Sequence, residues 1–111
     1  MATKPPRLAV IITPRAQRDL NEIWAYNLDR YDISHANDYI EFLIGETAAL
    51  KTAYPLGKTV PNNADLRYRT IRKGRGYGHI AVYKIADNAV RVLRFYHTAQ
   101  DWQRKAERGE W

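Results

Sequence analysis

The sequence has no cysteine among its 111 residues, which excludes a disulfide framework and a cysteine-ligated zinc site. Long apolar runs are also missing: the longest one near the start, residues 8–12, is far too short for a signal-peptide core or a membrane span. We therefore expect a cytoplasmic protein. No internal repeat or low-complexity segment occurs, and the length suits one domain over residues 1–111 with a real core, but not two.

Acidic residues are scarce in the second half of the chain. Residues 66–97 contain one acid, Asp87, against eight lysines and arginines, whereas residues 13–54 contain seven acids against four bases. The formal net charge is +6. This polarity predicts a basic surface built on strands and an anionic partner, which could be a nucleic acid, a nucleotide-handling enzyme or an acidic protein.

The first half of the chain predicts a strand and two helices. Residues 8–12 are apolar without alternation, which is typical of a strand covered on both faces or lying at a sheet centre. Thr13 and Pro14 form a helix start, and apolar residues then recur at helical spacing to about residue 31. Residues 33 and 34 form the predicted link, with Ser34 as the N-cap of a second helix that ends near Tyr54. So short a link predicts an antiparallel helical hairpin.

The second half predicts three strands in an antiparallel meander. Residues 55–65 read as a loop, and residues 66–72 as a strand with Arg67 and Arg69 on one side. A glycine-dense turn at 74–78 leads to a strand at 79–85, and Asp87-Asn88 connects it tightly to a strand at 90–97. Residues 98–111 form a short tail that Trp102 anchors. The predicted fold is α+β, with the helical hairpin on one face of a small twisted, mostly antiparallel sheet.

Motifs spread over nearly the whole chain carry a family resemblance. They are the first-helix pattern Thr13-Pro14-x-Ala16-x-x-Asp19-Leu20-x-x-Ile23-Trp24-x-Tyr26, the Leu66-Arg67 strand start, and the ending Val92-Leu93-Arg94-x-x-His97-x-x-x-Asp101-Trp102. This sequence resembles the RelE/ParE superfamily of toxins from type II toxin–antitoxin modules. The first-helix and final-strand patterns most resemble the ParE branch.

The resemblance implies a growth-inhibiting toxin. ParE-like toxins are held inactive by a partner antitoxin, and characterised members poison DNA gyrase, whereas RelE-like toxins of the same fold cleave mRNA on the ribosome. We expect a ParE-type toxin that binds gyrase and forms a hetero-oligomer with an acidic antitoxin. The alternatives are a ribosome-dependent mRNA endonuclease and a non-toxic member that only binds its antitoxin. No cofactor is expected, and three scattered histidines without cysteine predict no metal site.

Metal-independent RNA cleavage needs a base, an acid and cations around the developing phosphorane charge. A nuclease would draw these groups from His97, Tyr96, Arg67 and Arg94, with His79 and Arg69 as further candidates. Strand alternation puts Arg94 and Tyr96 on the opposite side of the last strand from His97, so they form no compact site without a bulge. We therefore assign no catalytic residue.

Two binding surfaces are predicted instead. The target-binding residues are Arg67, Arg69, Arg72, Arg94 and His97, and the antitoxin-binding residues are Trp24, Leu28, Tyr31, Tyr83 and Arg91. Alanine at Arg67, Arg69 and Arg94 is expected to abolish function without unfolding the domain. The helical tyrosines, including Tyr26, Tyr31 and Tyr39, are predicted to pack in the core and between helices rather than to stack on bases.

Overall fold

The computed structural model describes residues 4–75 and 78–109 and gives them an α+β fold. In chain order the elements are β1 (Ala9–Ile12), α1 (Pro14–Arg30), α2 (Ile33–Ala48), α3 (Leu50–Ala53), a 3-10 turn (Tyr54–Leu56), β2 (Lys58–Val60), β3 (Asn63–Ile71), β4 (His79–Ala86), β5 (Ala89–His97) and α4 (Trp102–Glu107). Within those two ranges, no helix is both long and apolar enough to cross a membrane. The predicted helical hairpin followed by an antiparallel meander is confirmed.

Side-chain caps define where the two long helices begin. The Thr13 hydroxyl accepts a hydrogen bond from the Ala16 N–H at 3.3 Å and donates one to the Val92 carbonyl at 2.8 Å, so it caps α1 and also ties the helix to β5. Asp32 caps α2, since its carboxylate accepts from the His35 N–H at 2.8 Å. The prediction of Ser34 as the cap is wrong, because an aspartate two residues earlier has the same capping chemistry and the favourable charge.

The strands of the described residues form one five-stranded sheet in the order β1-β5-β4-β3-β2. β1 pairs in parallel with β5, and the other neighbours are antiparallel. β1 therefore lies at an edge, contrary to the expectation of a central or doubly covered strand; Val10 and Ile12 pack on the core, while Ile11 stays 39% exposed. β2 lies within the predicted loop and was missed, because its burial is confined to Val60.

Apolar side chains cover both faces of the sheet. We call the side that packs against α1, α2 and α3 the helical face; its buried residues include Ala81, Tyr83, Val90, Val92 and Phe95. The opposite side, the α4 face, buries Val60, Leu66, Ile80, Val82 and Tyr96 together with Trp102 and Ala106 of α4. The Trp102 ring meets Tyr68 edge-on with 4.5 Å between the centroids. The predicted anchoring of the tail by Trp102 is thus confirmed.

Turn geometry explains the connections around β4. Asp87 and Asn88 have φ values of 54° and 58°, as a two-residue hairpin turn with left-handed central residues requires. Gly78 is crowded, since a Cβ there would collide with the Ile71 carbonyl oxygen. Gly76 and Tyr77, in the predicted glycine-dense turn, lie outside the described residues. Gly78 is therefore required for close approach of the two strand ends.

Candidate functional site

A cleft of about 850 Å³ opens beside the end of the sheet where β4 begins and β5 ends. One wall is α1 from Asp19 to the residue after its last turn. The first half of α2, the β3–β4 loop, the start of β4, the end of β5 and the turn that follows β5 contribute the rest. We call it the α1–β5 cleft. Its charged lining consists of Arg30, Lys73, Arg75 and Arg94 against Asp19 and Glu22, with three histidines besides. The cleft is therefore net cationic.

A buried carboxylate joins α1 to β5 at one end of the cleft. Asp19 is 3% exposed, and its Oδ2 accepts hydrogen bonds from Arg94 Nε at 2.7 Å and from the Phe95 N–H at 2.9 Å. Arg15 lies 3.5 Å from the other carboxylate oxygen. β1 pairs with β5 only as far as Val92, so the Asp19 carboxylate satisfies a strand N–H beyond the end of that pairing. Asp19 and Arg94 thus neutralise each other inside the fold.

Arg94 and His97 both line the cleft, and a bulge in β5 precedes both of them. Tyr83 pairs with Val92 and Val82 pairs with Arg94, which leaves Leu93 without a partner in β4. The alternation of side chains between the two faces of the sheet therefore shifts by one residue at Leu93. Tyr96, 1% exposed, packs on the α4 face, and the Arg94 guanidinium carbon lies 4.7 Å from its ring centroid. The bulge lies before Arg94, so the pairing from Arg94 to His97 is regular and the bulge that one compact site would need between these two residues is not seen there. Arg94 instead turns to Asp19 of α1, to which it donates a hydrogen bond.

Two histidines and a tyrosine meet in the middle of the cleft. The rings of His79 and His97 are perpendicular with 5.2 Å between centroids, and Tyr39 Oη lies 2.6 Å from Nδ1 of His79. Burial lowers the pKa of His79 to about 4, with the neighbouring His97 charge acting in the same direction. Burial also raises the pKa of Tyr39 to about 12. At neutral pH this cluster is therefore a set of hydrogen-bonding groups in which His79 is uncharged.

His97 presents a defined donor to the cleft. Its Nδ1 accepts a hydrogen bond from the Ala99 N–H at 3.0 Å, which places the proton of a neutral His97 ring on Nε2. Its backbone N–H donates to Gln100 Oε1 at 2.8 Å. The turn after β5 therefore fixes the orientation of this imidazole.

Exposed aromatic rings form the other end of the cleft. Tyr26 is 58% and Tyr31 61% exposed, and both line the cleft. The Tyr31 ring lies over His35 with 4.1 Å between centroids, and the Arg30 guanidinium lies 5.6 Å from the Tyr26 centroid. The prediction that these two tyrosines pack in the core is wrong, because Asn27 occupies the buried position between them on α1.

Comparison with known proteins identifies the fold and the family. A family model described as "ParE toxin of type II toxin-antitoxin system, parDE" matches residues 10–102. The chain belongs to the ParE toxin family. A solved chain from the chromosomal ParDE TA system of P. aeruginosa has a similar fold, with a TM-score of 0.69 and 16% identity, over 80% of this chain and 94% of that chain. The comparison with curated proteins gives no match.

In this ParE-family chain the predicted target-binding residues do not form one open sheet face. Arg67 and Arg69 lie on the helical face: Arg67 donates to the Pro55 carbonyl at 3.1 Å, and Arg69 approaches Glu46 of α2 at 4.0 Å. Arg94 is paired with buried Asp19. Arg72, just beyond β3, is exposed, and His97 lies in the cleft. Arg72 is therefore exposed, and the Arg69 side chain is 34% exposed.

The nuclease candidates are dispersed as well. Tyr96 is buried on the α4 face and Arg67 lies on β3, so neither shares the cleft with His97 and Arg94. Over residues 4–75 and 78–109, no three His, Cys, Asp or Glu side chains are grouped to hold a metal ion.

The predicted antitoxin-binding residues divide between surfaces. Leu28 and Tyr31 are exposed near the end of α1, and Trp24 is half-buried with its indole N–H donating to Asn37 at 2.9 Å. Arg91 alternates with Val90 and Val92 and so lies on the α4 face, 3.6 Å from Asp87. Tyr83 is fully buried and donates to the Tyr54 carbonyl at 2.7 Å. Its prediction as a contact residue is wrong.

Sequence reasoning missed the structural role of Asp19 and the contact between Tyr39 and His79. Asp19 follows Ala16 by three positions and directly precedes Leu20, so it lies next to the apolar stripe of α1. An acidic residue beside the apolar stripe of a helix is the signal that could have predicted a buried carboxylate with a basic partner. Nothing in the local sequence pairs Tyr39 with His79, because 40 residues separate them.

Proposed function

We propose that this chain is the toxin of a type II toxin–antitoxin module, that it arrests growth by binding DNA gyrase, and that a cognate acidic antitoxin neutralises it. The match of residues 10–102 to the ParE toxin family carries this proposal. Gyrase is the target that the ParE branch implies.

Arg69 and Arg72 are the proposed gyrase contacts. The Arg69 side chain is 34% exposed, and its guanidinium lies 4.0 Å from the Glu46 carboxylate, at the distance limit of an ion pair. Arg72 is exposed at the end of β3. Loss of a charged contact that becomes desolvated at an interface costs roughly 2 to 5 kcal/mol. Loss of an exposed arginine costs the fold about 0.5 kcal/mol or less. Inhibition should therefore fail in these variants while folding persists.

The test is a supercoiling assay with purified gyrase and purified toxin. The toxin should inhibit supercoiling, and the Arg69→Ala/Arg72→Ala variant should lose inhibition while keeping its Tm. A Lys58→Ala/Lys105→Ala variant removes the same charge from exposed sites elsewhere and should inhibit normally. Site-specific mRNA cuts in translating extracts, with supercoiling unaffected, would instead support the endonuclease alternative.

One observation favours that alternative: His79 and His97 lie ring to ring in a cationic cleft. The endonuclease alternative has a chemical weakness. A general acid works best with a pKa near the operating pH, whereas the pKa of His79 is lowered to about 4. The ribosome arm of the assay tests it directly.

The antitoxin is proposed to be an acidic, partly disordered segment that folds over the exposed apolar end of α1. Leu28, Tyr31 and Ile33 are 38%, 61% and 59% exposed there, and burying them would stabilise a folded partner helix. The net charge of +6 should speed capture. Stopped-flow association should slow as salt rises, and an association rate independent of salt would remove the electrostatic part of the proposal.

A further inference from the structure

We propose that the α1–β5 cleft binds a nucleoside polyphosphate, with the base against the tyrosines of α1 and the phosphates against the cations of the β3–β4 loop. This inference concerns a small-molecule site and does not depend on gyrase as the target. It rests on the composition of one cleft, in which exposed rings and cationic side chains occur together.

The aromatic wall is placed to receive a base. Tyr26 and Tyr31 are more than half exposed although both rings line a concave surface. A nucleobase can stack on an exposed tyrosine ring whatever its sequence identity, because every base has a π-face. His35 packs against the Tyr31 ring, and Arg30 packs against the Tyr26 ring and adds positive charge beside it.

The cations opposite this wall are placed to receive phosphates. Lys73 and Arg75 both line the cleft from a single loop, and Lys73 Nζ lies over the Phe42 ring at 5.8 Å from its centroid. His97 adds a donor, because its Nδ1 is occupied as an acceptor and Nε2 carries the proton of the neutral ring. Of the two acids that line the cleft, Asp19 and Glu22, Asp19 is neutralised by Arg94 and Arg15, so it repels phosphate little.

Size and charge clustering favour a free nucleotide over a longer strand. The volume of about 850 Å³ falls in the roughly 300–1,000 Å³ range of small-molecule sites. From Asp19 to Arg30 the helical wall is about 17 Å long at 1.5 Å per residue. Two neighbouring loop cations suit adjacent phosphates, whereas a single strand is tracked by a groove with charges spaced along it.

Titration calorimetry with AMP, ATP and inorganic pyrophosphate separates the two halves of the site. ATP should bind more tightly than both AMP and pyrophosphate. Lys73→Ala/Arg75→Ala should weaken ATP about tenfold or more and AMP less. Tyr26→Leu should weaken ATP and AMP alike by about fivefold or more and leave pyrophosphate unchanged. GTP in place of ATP reports whether the base site prefers adenine.

Lys58→Ala/Lys84→Ala is the matched control, because it removes two cations that do not line the cleft. It should bind ATP as the parent protein does. In NMR spectra, the resonances of His79 and His97 should shift on ATP addition in the parent protein and in this control variant. Three results would each overturn the proposal. The control variant could lose as much ATP affinity as Lys73→Ala/Arg75→Ala, or pyrophosphate could bind as tightly as ATP. A short single-stranded oligonucleotide could also displace ATP equally well from the parent protein and from the Tyr26→Leu variant.

Discussion

Removal of Arg94 is expected to destabilise the domain strongly. The Arg94 side chain is 13% and the Asp19 side chain 4% exposed, and Nε to Oδ2 is 2.7 Å. Breaking a buried pair on one side leaves an uncompensated charge and costs about 3 to 5 kcal/mol. Arg15, at 3.5 Å and 29% exposed, offsets part of this, so we expect about 3 kcal/mol for Arg94→Ala. Small domains have about 5 to 15 kcal/mol in total.

Urea denaturation followed by circular dichroism measures this change. Arg94→Ala should lower the free energy of unfolding by about 3 kcal/mol and Tm by on the order of 15 °C. The Arg94→Ala/Asp19→Asn double variant should recover part of the loss, because an uncharged amide oxygen can still accept from the Phe95 N–H. If Arg94→Ala lost less than about 1 kcal/mol and the double variant were no better, the buried pair would have no structural role. The expectation that alanine at this position spares folding would then stand after all.

Three other predictions concern the rest of the fold. Burial lowers the pKa of His79 from 6.5 to about 4, so the unfolded chain binds a proton at this residue more readily than the folded protein does. The free energy of unfolding should therefore be highest above pH 6.5 and should drop by about 3 kcal/mol as the pH falls to about 4. His79→Gln should flatten this part of the pH profile in denaturation experiments. Gly78→Ala should destabilise the domain by more than 1 kcal/mol in urea titrations, because the new Cβ meets the Ile71 carbonyl. Gly45→Ala should stabilise the domain by about 0.5 to 1 kcal/mol, because Gly45 is exposed in α2 and its new Cβ has open space around it. Equal effects of the two substitutions would refute the steric argument. Trp102→Ala should cost about 3 to 5 kcal/mol, measured by thermal unfolding, and a loss below 1 kcal/mol would mean that α4 does not contribute to the core.

Periodicity predicted the long elements because burial repeats along them. α1, α2, β4 and β5 each carry enough apolar residues at helical or strand spacing for the pattern to be read. β2 is three residues long and buries only Val60, so no pattern separates it from a loop. The non-alternating run of β1 predicted a strand but not its position at an edge, since strand order depends on pairing with residues far along the chain.

The site was harder to predict than the fold. The charge polarity of the sequence pointed to an anionic ligand, but Arg67 and Arg94 turned out to bond within the protein. Such pairs depend on contacts 12 and 75 residues apart, which composition does not reveal. The bulge at Leu93 is equally invisible in sequence, because one unpaired residue leaves the apolar pattern of β5 nearly intact. A cleft lined from several elements emerges only after these pairings are known.

The parallel pairing of β1 with β5 has a consequence for the order of folding. Ala9 pairs with Ala89 and Ile12 with Val92, which are about 80 residues apart in the chain. Such a ladder closes late, because long-range pairing must overcome the entropy of closing the intervening loop. During synthesis, residues 9–12 have no partner strand until the β5 segment has left the ribosome. The nascent chain therefore passes most of its elongation without a complete sheet, and the β4–β5 hairpin, whose two strands are joined by two residues, can form before the first strand docks.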